Sequence, residues 1–179
     1  MEMKHAVRAI VLRAGLTMGV ILAVAELAFG VALFFLRPAM NDFISAGEQD
    51  VVTLMPLIIA WFAFLFLLLA IYFACGMMVA KWLAPLPLRS RDIAIYGAVG
   101  GAIAELARSV IAVAVDFAIS YVSPLASVRS ADTLNVALAN AGIRLACGLP
   151  AFLVLAAVVA GLSAWLFSII FFRSDSPTE

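Results

Sequence analysis

From Leu54 to Ala80 the chain carries no aspartate, glutamate, lysine or arginine. A run of this length with no charge and no period-two alternation fits few structures. Crossing a ~30 Å hydrocarbon layer takes about 20 helical residues, and a lipid-embedded backbone must satisfy its own hydrogen bonds, which favours a helix. Three further long, predominantly apolar segments accompany it, about 7–36, 93–122 and 132–172 beside 54–83. Polar or proline-containing punctuation separates them: Arg37-Pro38, Pro85-Leu86-Pro87 and Ser123-Pro124. Across the 179 residues 66% are hydrophobic and 12% charged, whereas soluble domains carry roughly 45–50% apolar and about 25% charged residues. The expected fold is an all-α integral membrane protein, a four-helix transmembrane bundle forming a single transmembrane domain over 1–179, with a short polar tail at 174–179.

The fourth segment is too long for one straight crossing. As a single helix, Asp132 to Phe172 would measure about 60 Å at about 1.5 Å per residue. Residues 151–172 contain no charge, whereas 132–149 carry Asn135, Asn140 and Arg144. One crossing is therefore expected, with an N-terminal extension capped near Ser130 or Asp132 and kinked near Pro150. A re-entrant or interfacial helix followed by a separate span is the alternative. At the other end, Lys4, Arg8 and Arg13 precede an Ala23-Val24-Ala25 that resembles a signal-peptide cleavage site. The apolar run continues well beyond it, so an uncleaved first span is expected.

Orientation follows from the distribution of basic residues. Lys4, Arg8, Arg13, Lys81, Arg89, Arg91 and Arg173 fall on one side of the four spans, and Arg37 and Arg129 on the other. The positive-inside rule then puts both termini in the cytoplasm of a multi-pass cell-membrane protein. The opposite connection, 37–53, is acidic through Asp42, Glu48 and Asp50. Trp61 and Trp82 are expected near the two interfaces.

Several chemistries are excluded. His5 is the single histidine and lies outside any span, so bis-histidine haem, a histidine metal site and a histidine proton relay are ruled out. Cys75 and Cys147 form no CxxC or ligand pattern and are expected as small core residues. The formal net charge is zero, which offers nucleic acid no attractive field. No nucleophile elbow, HExxH or phosphate-binding loop is present. No enzymatic activity, cofactor or metal is expected.

What remains is a set of charges inside apolar sequence. Gly97, Gly101, Glu105, Arg108, Ala112 and Asp116 lie three or four residues apart, which aligns them on one helical face. Gly15, Gly19, Glu26 and Gly30 share a face of the first segment, and Asn140, Arg144 and Gly148 one of the fourth. A charge at the bilayer centre costs about 3 kcal/mol on insertion scales, so these residues should turn inward and pair. Glu26, Glu105 and Arg108 are expected to form one network, and Asp116 with Arg144 a second pair nearer the outer surface. Gly15, Gly19, Gly30, Gly97 and Gly101 are candidates for close helix packing. Helices one, three and four would meet at these polar faces, with the apolar second helix outside them or against another subunit.

Two functions fit. One is a structural or accessory subunit that packs against other membrane proteins or against itself. The other is a small oligomeric transporter or channel that moves protons or ions through the intramembrane charges. Besides the lipid bilayer, the expected partner is a membrane protein or a second copy.

Overall fold

The computed structural model describes residues 2–46, 51–122, 138–139 and 142–172. They form four long helices, α1 (Glu2–Ala46), α2 (Val51–Leu83), α3 (Ser90–Val122) and α4 (Leu149–Phe172). A five-residue π-helical turn, Arg144–Gly148, leads into α4. Each helix contains a stretch long and apolar enough to cross a membrane: Met3–Ala32, Ile58–Leu83, Ser90–Val115 and Leu145–Ile170.

Two local features differ from expectation. The α1 helix does not stop at Arg37-Pro38 but runs on to Ala46. A proline lacks only its own N–H donor and crowds one carbonyl a turn earlier, which kinks a helix without obliging it to end. Cys75 is fully buried, as expected, but Cys147 is exposed, because it sits in the π-helical turn outside the described core. The connection from α2 to α3 is short and ordered by its prolines. The Leu86 N–H donates to the Leu83 carbonyl at 2.9 Å and the Leu88 N–H to that of Leu86 at 2.7 Å. The chain thereby folds Leu86 and Leu88 back onto Val7, Val11, Val79 and Leu83. Lys81 in the last turn of α2 and Asp92 in the first turn of α3 each complement the helix dipole they face.

The helices do not stand around the bundle in chain order. The α3 helix packs most extensively on α4 and α1, and α2 on α4, with α2 and α3 also touching across the middle; α1 and α4 make little direct contact. Contacts between the helices set their directions. Along α1, Gly15 faces Gly100 and Ile103 while Gly19 faces Ala104 and Ala107, so α1 and α3 run parallel. Gly97 faces Ala164 and Gly101 faces Ala156, so α3 and α4 run antiparallel. Phe64 stacks on Phe29, Trp61 meets the same ring edge to face, and Trp82 lies under Arg13, so α1 and α2 are antiparallel. Directions therefore alternate, and the start of α1, the end of α2, the start of α3 and the end of α4 share one end of the bundle.

Lipid gives helices no hydrophobic drive to associate, so close backbone approach and polar pairing must hold them together. Close approach is provided by small residues. A Cβ on Gly76 would sit 2.0 Å from the Ala160 carbonyl oxygen, and one on Gly101 2.5 Å from that of Ala156. Ala14, Ala104, Ala156, Ala160 and Ala164 are buried at the same contacts. The centre is filled by Leu22, Leu68, Tyr72 and Cys75. In contrast to the expectation that α2 packs outside the polar faces, it contributes three of these four side chains to the centre. Its other face, Ile58, Ile59, Trp61, Phe62, Phe66 and Phe73, is exposed.

Candidate functional site

The charges of α3 are buried and bonded. Glu105 has no exposed surface and Arg108 retains 5%. Three residues apart on a helix, they share a face, and Arg108 grips Glu105 in a two-pronged contact. Its Nε donates to Oε2 at 2.7 Å and its Nη2 to Oε1 at 2.6 Å. Ser109, four residues from Glu105, donates its hydroxyl to Oε1 at 3.1 Å. From α2, the Tyr72 hydroxyl donates to Oε2 at 2.5 Å. The Glu105 carboxylate, an acceptor of about four hydrogen bonds, thus receives two on each oxygen.

Arg108 extends the cluster to the other helices. Its Nη1 donates to Glu26 Oε2 of α1 at 2.6 Å, closing an ion pair between residues far apart in sequence. Its guanidinium carbon lies 5.3 Å from the centroid of the Phe152 ring of α4, within the range of a cation–π contact. All four helices therefore meet at one guanidinium and one carboxylate. Among the described residues, no buried side-chain nitrogen or oxygen lacks a hydrogen-bond partner. Glu26 is the open edge of the cluster, with 19% of its side chain exposed.

Glu26, Glu105 and Arg108 are thus together. Asp116 lies on α3 and Arg144 in the π-helical turn, but the side chains of both, and so their expected pairing, lie outside the described residues, as do Asn135 and Asn140. Gly15, Gly19, Gly97 and Gly101 stand at helix contacts too tight for a Cβ. Gly30 differs from expectation: no described atom lies within 4 Å of where its Cβ would be.

Sequence reasoning missed Tyr72, Ser109, Phe152 and Gly76. Two of these carried a signal. Tyr72 carries the one hydroxyl within the uncharged stretch 54–80, and a phenol in an apolar setting needs a partner. Ser109 follows Glu105 by four residues, one helical turn. Phe152 carried none, since nothing in a charge-free helix says which ring will meet a guanidinium. Among the described residues, no three His, Cys, Asp or Glu side chains converge in a way that would hold a metal ion.

Fold and cluster together define a four-helix protein with spans long and apolar enough to cross a membrane and a bonded ionic cluster joining all four. No protein-family model, no curated protein and no solved structure matches the chain.

Proposed function

We propose that the protein is a multi-pass cell-membrane protein serving as a structural or accessory subunit, which packs its apolar outer surface against other membrane subunits or against copies of itself. The observation that carries this reading is the closure of the cluster. Glu105 and Arg108 spend their hydrogen bonds on Tyr72, Ser109, Glu26 and each other, an arrangement suited to fixing helix register and pairing. With Glu26, Glu105 and Arg108 bonded to one another, the surface left for partners is the exterior. Both termini lie in the cytoplasm in this reading, because the basic residues gather at the shared end of the helices. The last span is kinked where the π-helical turn precedes Pro150, a combination that commonly bends helices. No catalysis is proposed.

Affinity purification of the tagged chain from gently solubilised native membranes tests the reading. A stoichiometric membrane-protein partner, or a defined homo-oligomer, is expected; a monomer that brings down nothing contradicts it.

One observation favours a second reading, a small oligomeric transporter or channel. Two carboxylates share one guanidinium, and one of them, Glu26, is partly exposed. Ionisable side chains inside membrane spans commonly mark ion and proton pathways. In reconstituted vesicles Glu26→Gln should then abolish proton or ion flux with the fold intact. Absence of flux from wild-type vesicles removes this reading.

A further inference from the structure

At the end of the bundle where α1 starts and α2 finishes, Ala9, Ile10, Arg13, Lys81, Trp82 and Pro85 line a cleft of about 510 Å³. Its walls are apolar side chains and an indole; its charges are two cations. The Arg13 guanidinium carbon lies 5.7 Å from the centroid of the Trp82 ring, which holds it over the cleft. Lys81 enters from the last turn of α2. Both cations are exposed, and among the described residues neither is ion-paired with a carboxylate. The only described ion pairs are those of the central cluster. The cleft therefore combines uncompensated positive charge with an apolar floor, at the level where α2 ends and Trp82 marks an interface.

We propose that this cleft binds an anionic phospholipid, with the headgroup phosphate between Arg13 and Lys81 and the glycerol and upper acyl chain along Ile10, Trp82 and Pro85. Basic pockets between membrane helices take phospholipid headgroups by this chemistry, and long cationic side chains near a helix end reach the headgroup layer while their stems stay apolar. An apolar floor with few polar groups suits the lipid better than free phosphate, which would leave that floor unused. The proposal rests on the chain residing in a membrane, and not on its being a subunit of a larger assembly.

The test is native mass spectrometry of the full chain released from vesicles of phosphatidylcholine with phosphatidylglycerol. Wild type is expected to retain one phosphatidylglycerol in preference to phosphatidylcholine. Arg13→Gln with Lys81→Gln should weaken that retention about thirtyfold, since each basic residue near a charged bilayer contributes roughly a fivefold factor. Arg89→Gln with Arg91→Gln, at the same end but not lining the cleft, should leave it unchanged. Lys81→Gln alone, expected to lose about fivefold, serves if the double variant does not fold. Equal retention by the two double variants, no preference in wild type, or displacement of the lipid by millimolar inorganic phosphate overturns the proposal. A wild-type chain that fails to enter vesicles overturns the membrane reading instead.

Discussion

Removing either charge of the Glu105–Arg108 pair leaves the other buried without its opposite charge on α3. Arg108→Met takes one of the two donors from each Glu105 oxygen and removes the ion pair with Glu26. Stranding one member of a buried pair costs about 3–5 kcal/mol, and unfolding in mixed micelles should show a loss of that size for Arg108→Met. Glu105→Gln with Arg108→Met should cost less than the two single changes added together, because no charge then remains unpaired on α3. A double variant as costly as the sum would mean that the two side chains do not interact. These residues were legible because a charge in apolar sequence is conspicuous and expensive. Glu26 was legible by depth, since it had to lie near the level of Arg108. Tyr72 was visible but misjudged, because a helix without charges resembled a lipid-facing one.

At the scale of the helix, glycines of similar appearance have opposite uses. A Cβ at Gly76 would strike the Ala160 carbonyl and the Ser163 hydroxyl, the latter already donating to the Phe73 carbonyl at 2.8 Å. Gly76→Ala should force α2 and α4 apart and destabilise the bundle by about 1–3 kcal/mol, the usual cost of overpacking. Gly30→Ala meets no described atom within 4 Å and should be neutral or stabilising by up to about 1 kcal/mol through helix propensity. Thermal unfolding in detergent compares the two; equal losses would contradict the packing of α2 on α4. Helix identity was readable from segment length and apolar content, and the end of α2 from the prolines that follow it; α3 begins at Ser90, three residues before the expected start. The α1 end was not, since Pro38 is accommodated within the helix. Nor was the role of Gly76, which has no polar neighbour in sequence to mark its face.

For the molecule as a whole, alternating directions place Lys4 and Arg89 at one end of the bundle and Ala46 at the other. With Cys75 and Cys147 replaced, single cysteines at positions 4 and 89 should label with a membrane-impermeant thiol reagent from one side of sealed vesicles, and a cysteine at position 46 from the other. Labelling of positions 4 and 89 from opposite sides would break the alternation. Hydropathy supplied four spans, and charge distribution suggested how they are oriented. It did not supply the order around the bundle. Helix α2 enters the centre because Leu68, Tyr72 and Cys75 share one of its faces while the bulky aromatics Trp61, Phe62, Phe66 and Phe73 turn outward. Uniform hydrophobicity conceals that division, for lipid and protein interior are equally apolar.

Side chains from separate helices converge on Glu105, and the Tyr72 contact is the most discriminating of these because it brings in α2, whose stretch from Leu54 to Ala80 has no charge. A double-mutant cycle of Tyr72→Phe and Glu105→Gln, read by reversible unfolding in micelles, measures that contact directly. The account predicts that the two changes couple by about 1 kcal/mol or more, as a buried hydrogen bond to a carboxylate should. Additivity within about 0.3–0.5 kcal/mol, the behaviour of sites that do not touch, would contradict it.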